Sequence, residues 1–275
     1  MKKIVGLLSI LILNNAFACY SSKGFSVCPG DFATAGDYFS RGATVLSVNS
    51  RTGQVGLKSI SNGSIMSMSV NDIQIGKGCI SKVCVGHFST AGTQYTRGAT
   101  VVALNPLTGM VGLKSINSGS ISALPVNEIQ AEKGCIEGVC VGNTATAGNY
   151  FSRGAKVVSI NTKTRMIGLK SINAGTMSAL PLNQIQGANG CVEGICMGDF
   201  VTAGSELSRG GKVISVNYRT RMIGVQSINS GSMMAFPTRE LQVSTQCLDF
   251  GNRERDLDFY IPKIKISVDI TLEKK

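Results

Sequence analysis

Hydrophobic positions along this chain repeat on two scales. On the short scale the period is two. Val55-Gly56-Leu57-Lys58-Ser59-Ile60 sets Val55 and Leu57 on one face and Lys58 on the other, the alternation of a half-buried strand. Ahead of it, Thr44-Val45-Leu46-Ser47-Val48 is rich in β-formers and ends at Asn49. The stretch from Asn49 to Gly53 reads as a turn, and Asn62-Gly63 reads as a tight hairpin connection. A third strand is expected from Ile65 to Val70, with Met66, Met68 and Val70 on one face. Asn71-Asp72-Ile73-Gln74 is expected to make one helical turn, repeated at Asn127-Glu128-Ile129-Gln130 and Asn183-Gln184-Ile185-Gln186. Short strands are expected near Phe32 and Phe88 and again before each closing cysteine.

On the long scale the period is 56. Cys28, Cys84, Cys140 and Cys196 recur at that spacing, and so do Cys79, Cys135, Cys191 and Cys247. Each copy carries Thr-Ala-Gly, at Thr34-Ala35-Gly36, Thr90-Ala91-Gly92, Thr146-Ala147-Gly148 and Thr202-Ala203-Gly204. An Arg-Gly step follows at Arg41, Arg97, Arg153 and Arg209. No copy gains or loses a residue, which suits recent duplication or an assembly whose units have equivalent neighbours. The chain therefore divides into a leader (1–18), an N-terminal segment (19–27), four units (28–83, 84–139, 140–195, 196–247) and a tail (248–275).

The leader has Lys2 and Lys3, an uncharged apolar run over residues 4–13, and Ala16-Phe17-Ala18, the pattern of a cleaved secretory signal. Export to the periplasm, outer envelope or extracellular space is expected. Cys19, directly after the cleavage point, resembles the acylated cysteine of the bacterial lipoprotein lipobox, which implies a lipid on Cys19 as the protein's one link to a membrane. Ala16 and Phe17 depart from that pattern, so plain secretion stays open beside it. In the tail, Lys263 to Leu272 alternates cleanly, with Ile264, Ile266, Val268, Ile270 and Leu272 on one face. Such a strand suits a cap on the last unit or pairing with another chain.

The order strand, long loop, three-strand meander, helical turn and final strand resembles an SH3-like barrel, a small five-stranded fold used by many binding modules, including bacterial cell-wall-targeting ones. The resemblance implies an all-β protein of four tandem SH3-like barrels. It rests on element order and length, and the binding-site aromatics of that family are missing, so its ligand does not carry over. One closed four-bladed β-propeller is the alternative.

Exported cysteines are expected to be oxidised. Two connectivities fit. End-to-end bonds, Cys28–Cys79, Cys84–Cys135, Cys140–Cys191 and Cys196–Cys247, would staple each barrel, each contributing roughly 3–4 kcal/mol. Local bonds, Cys79–Cys84, Cys135–Cys140 and Cys191–Cys196, would leave Cys28 and Cys247 to close a ring. In the second junction a two-residue Glu137-Gly138 turn would pair Ile136 with Val139 and set Cys135 opposite Cys140. Zinc is the rival use of these cysteines, disfavoured by the secretory signal and the single histidine.

Little else carries chemistry. His87 is the one histidine, and its equivalents Asp31, Asn143 and Asp199 point to a polar turn position. Acidic residues do not recur as a pair, and no glycine-rich loop joins a strand to a helix. An enzyme, a cofactor and a metal are accordingly not expected. The net charge is +11, of which Lys2 and Lys3 supply two, leaving +9 beyond the leader. A basic surface draws acidic polymers. With 6% aromatic residues and no Trp, stacking platforms for sugars or bases are disfavoured, and nucleic acid with them. Arg41, Arg97, Arg153 and Arg209, with Lys58, Lys114 and Lys170, are the candidate ligand-binding residues. They suit an acidic envelope polymer, a glycan or another protein. Gln226 breaks the lysine series. In the competing reading the lysines keep a strand soluble, the arginines cap carbonyls within their own unit, and the protein is a spacer or surface component without a ligand.

Overall fold

Strand-forming sequence becomes strand throughout. The computed structural model describes residues 19–244 apart from 92, 93 and 149, and their regular structure is β-strand with two 3-10 turns. The leader, Cys247 and the tail lie outside the described residues.

The first unit shows the plan. Strands β1 (Tyr20–Ser22) and β2 (Phe25–Val27) form an N-terminal hairpin. Then come β3 (Phe32–Thr34), a long loop, the meander β4 (Ala43–Asn49), β5 (Gln54–Ser59) and β6 (Ile65–Ser69), and the short β7 (Gln74–Ile75). β3 pairs with both β4 and β7, so the antiparallel sheet curls. Val55, Leu57 and Ser59 of β5 point inward, as the alternation predicts. The loop is pinned by one buried side chain per unit: Phe39, Tyr95, Phe151 or Leu207. It ends at Gly42, whose φ of 85° and position against the Phe32 ring leave no room for a Cβ.

A hairpin of β8 (Cys79–Ile80) and β9 (Val83–Cys84) leads to the second unit, with β10 (Phe88–Ser89), β11 (Ala99–Asn105), β12 (Met110–Ser115) and β13 (Ile121–Pro125). The meander recurs at Ala155–Asn161, Met166–Ser171 and Met177–Pro181, and at Gly211–Asn217, Met222–Ser227 and Met233–Pro237. The expected helical turn is a 3-10 turn at Leu182–Gln184 and Thr238–Glu240, and a plain turn in the first two units. Met66 and Met68 share the face of Leu57 and Val55, their partners in the ladder; Met66 is exposed at its end of that face, Met68 lies half-buried on the core and Val70 is buried.

Each long first strand bulges at one residue, with register shifts between Val45 and Ser47, Val101 and Ala103, Val157 and Ser159, and Val213 and Ser215. The bulge sets Ser47 opposite Gly56, and likewise Ala103 opposite Gly112, Ser159 opposite Gly168 and Ser215 opposite Gly224. The result is a shallow seat of small residues on the outer face.

That seat joins the units. β7 adds to β11, so one sheet of nine strands runs through the first two units. Thr34 sits on Gly112, Thr90 on Gly168 and Thr146 on Gly224, each so close that a Cβ on the glycine would come within 2.2–2.4 Å of the threonine Oγ1. The same hydroxyls donate to Gln74, Gln130 and Gln186 at 2.8–3.0 Å, all fully buried. Asn105, Asn161 and Asn217 each reach back to the preceding unit. Their side-chain amides donate to the carbonyls of Val70 and Ile73, Val126 and Ile129, and Leu182 and Ile185. The units are therefore interlocked, and the last two share one hydrophobic core.

The disulfides correct two expectations. Cys79–Cys84, Cys135–Cys140 and Cys191–Cys196 are local, with Cα–Cα distances of 3.9–4.0 Å, so end-to-end staples are not formed. Cys135 faces Cys140 and Ile136 faces Val139, in the register that the Glu137-Gly138 turn dictates; both turn residues have positive φ, 47° and 80°. Cys28 bonds Cys19, across the N-terminal hairpin, and so does not close a ring with Cys247. Cys19 thus belongs to the same series of disulfide-closed hairpins, and its sulfur is taken. A thioether-linked lipid there and this disulfide exclude each other.

Candidate ligand-binding surface

The recurring arginines follow from the fold. Arg41 precedes Gly42 at the end of the long loop, where the chain must take positive φ before entering β4. The Ile60 amide donates to the Gly42 carbonyl at 3.0 Å, so the end of β5 is held beside the Arg-Gly step. The same bond joins Ile116 to Gly98, Ile172 to Gly154 and Ile228 to Gly210, each at 3.1 Å. Lys58 lies opposite Thr44 in the ladder, two residues before Ile60 and pointing outward; Lys114 repeats this opposite Thr100, and Lys170 also points outward but lies opposite Lys156.

All four arginines and all three lysines are exposed. Among the described residues none of these seven side chains takes part in an ion pair or a side-chain hydrogen bond. The carbonyl-capping role for the arginines is therefore not realised. Asp31 pairs with Lys77 at 2.6 Å, Glu137 with Arg165 at 2.5 Å and Glu193 with Arg221 at 2.8 Å.

Sequence reasoning missed an apolar member of each station. Ile60, Ile116, Ile172 and Ile228 are 51, 51, 46 and 41% exposed. Their recurrence directly after Lys-Ser or Gln-Ser was the available signal. A station is thus an unpaired arginine, an exposed isoleucine and, in three units, an unpaired lysine. It offers charge and a small apolar contact.

Another pairing explains a difference between copies. Units one and two use Gly53 and Gly109 at positive φ in the first meander turn; units three and four place Arg165 and Arg221 there, at φ 59° and 56°. Those arginines pair with Glu137 and Glu193 of the preceding hairpin, and the first junction, which has Ser81-Lys82 instead of Glu-Gly, lacks the acid.

His87 sits in a turn. Its Nδ1 lies 3.3 Å from the Cys84 amide and 3.0 Å from the Ala131 carbonyl. Asp31 and Asp199 accept the Cys28 and Cys196 amides in the same way, at 2.8 and 2.7 Å. Among the described residues no three His, Cys, Asp or Glu side chains converge on a common point.

The sequence matches no protein-family model and no curated protein.

Proposed function

We propose that this is a non-enzymatic, exported repeat protein that binds an acidic polymer, glycan or protein in the envelope or the secreted space. The observation that carries the reading is the set of four equivalent arginines, all exposed and, among the described residues, all without an acidic partner. Four disulfides fit an oxidising compartment, and no helix among the described residues is long and apolar enough to cross a membrane. A single exposed cation contributes little to binding. Four stations on one interlocked array act on a repeating ligand with a high effective concentration, so weak contacts multiply.

The test is pull-down with isolated envelope fractions and with a defined anionic polysaccharide. Binding should weaken as salt rises. Replacing Arg41, Arg97, Arg153 and Arg209 together by Ala should reduce it at least tenfold. Binding that ignores both salt and the fourfold replacement rejects the reading. A second reading, a structural spacer, is favoured by the interlocks themselves, which make a continuous array from units that need no ligand. Absence of any binding to envelope material would favour it.

A further inference from the structure

The joint between units has two sides, and each side is left open once. On the receiving side, the third-strand residues Ile121, Met177 and Met233 are 4, 7 and 9% exposed. Their backbone amides donate to the carbonyls of Ser40, Thr96 and Ser152 in the preceding unit, at 2.8–3.0 Å. Ile65, their equivalent in the first unit, is 68% exposed. Asn49 is exposed where Asn105 is fully buried, and Ser47 is exposed where Ser159 and Ser215 are buried. An open groove of about 460 Å³ lies there, lined by Ser47, Asn49, Gly56, Ile65 and Met66 among others.

On the inserting side the last unit is bare in the same way. Thr34, Thr90 and Thr146 are wholly buried, but Thr202 is exposed. Gln74, Gln130 and Gln186 are 3% exposed, but Gln242 is exposed, and Phe200 and Val243 are 44 and 39% exposed. The chemistry of the joint is kept at both open sides. Asn49 and Gly56 are the residues that receive in the other units, and Thr202 and Ser208 are those that insert.

We propose that the protein associates head to tail with second copies of itself, the last unit of one molecule docking on the first unit of the next. The chain forms this joint three times within itself, so the occupant that fits the open face is already defined: a Thr202 hydroxyl on Gly56, and the Asn49 amide on the carbonyls of Thr238 and Leu241. Such an interface is heterologous, so association continues into linear oligomers. The exposed Ile65 and Phe200 supply apolar area at the contact.

The experiment is sedimentation velocity on the full, disulfide-intact chain from about 1 to 200 µM, a span that brackets common protein association constants. The expected result is a concentration-dependent ladder of oligomers. Ile65→Lys removes the receiving face and Thr202→Arg the inserting edge. Both sites are exposed, and unchanged thermal unfolding verifies the fold of each variant. Each variant alone is expected to stay monomeric, while an equimolar mixture forms a dimer and stops there. A monomeric wild type over the whole range overturns the proposal. So does association that survives both substitutions, a mixture that stays monomeric, or association seen only after removal of residues 245–275, which assigns the edge to the tail.

Discussion

Asn105→Ala, compared with Asn49→Ala, measures what the joint is worth. The two asparagines hold the same turn. Asn49 Oδ1 accepts the amides of Arg51 and Thr52, both at 3.1 Å, and Asn105 Oδ1 accepts those of Leu107 and Thr108, at 3.0 and 3.4 Å. Only Asn105 also donates to the preceding unit, to Val70 at 2.9 Å and Ile73 at 2.6 Å, with its side chain fully buried. Losing the exposed turn bonds at Asn49 should cost about 0.5–1 kcal/mol. Asn105→Ala loses the same turn bonds and leaves two buried carbonyls without that donor, at about 1–2 kcal/mol each, for a total of about 2.5–5 kcal/mol. For a chain of this size that corresponds to a drop in Tm of about 5–20 °C, against about 1–4 °C for Asn49→Ala. Thermal unfolding followed by circular dichroism, with the disulfides intact and the protein dilute enough to be monomeric, reads the difference. Equal effects within about 1 kcal/mol would refute the claim that the asparagine carries the joint.

The other predictions probe smaller features. Cys135→Ala with Cys140→Ala opens a six-residue loop and should cost about 2 kcal/mol, less than a 50-residue staple would; non-reducing peptide mapping should recover Cys135 with Cys140 and Cys19 with Cys28. Ser215 Oγ is buried without a partner, whereas Ser159 Oγ lies 3.1 Å from Thr90 Oγ1. Ser215→Ala is therefore expected to be neutral or to stabilise by up to about 1 kcal/mol, and Ser159→Ala to cost about 1 kcal/mol, in urea titrations. A Cβ at Gly112 would meet Thr34 Oγ1 at 2.4 Å inside a joint, while one at Gly56 would meet only the exposed Ser47 hydroxyl at 2.5 Å. Gly112→Ala should cost about 1–3 kcal/mol, while Gly56→Ala should lie within about 0.5 kcal/mol of neutral, the strand preference for alanine offsetting the shift of the Ser47 hydroxyl, and comparable losses would contradict the seat described above.

What the sequence made legible was local. The strand faces of Val55 and Leu57 and the register of the Glu137-Gly138 hairpin depend on neighbours within a few residues, and the 56-residue period is read by comparing copies with one another. The bulge at Leu46 was hidden, although its trace is there: Val45, Leu46 and Val48 break the strict alternation. The role of Thr-Ala-Gly was hidden for a different reason. Thr34 is explained by Gly112, some 80 residues away in another unit, and no periodicity within one unit points there. Cys19 was misread because its spacing to Cys28 is nine residues, where the other hairpins use five. The longer hairpin inserts Tyr20 and Phe25 into the first core, so it begins the array with extra apolar cover.

The two candidate surfaces also constrain each other. The stations at Arg41, Arg97, Arg153 and Arg209 lie at one end of each meander, beside the exposed Ile60, Ile116, Ile172 and Ile228. They recur in all four units at similar exposure. Joint residues such as Asn49, Ile65, Thr202 and Gln242 behave differently: each is exposed, while its equivalents in the other three units are buried. A feature serving only the internal joints has no folding role in the unit where it is bare. Gly56 illustrates this, since a glycine within a strand is about 0.5–1 kcal/mol less favourable than alanine and Gly56 seats no threonine within the chain. Duplication alone leaves such a residue in place. End-to-end association gives it a partner, and would add the four arginine stations of each further molecule to the same assembly. A polymer gripped by the first reading would then be longer than one molecule, and the affinity per chain would rise with protein concentration.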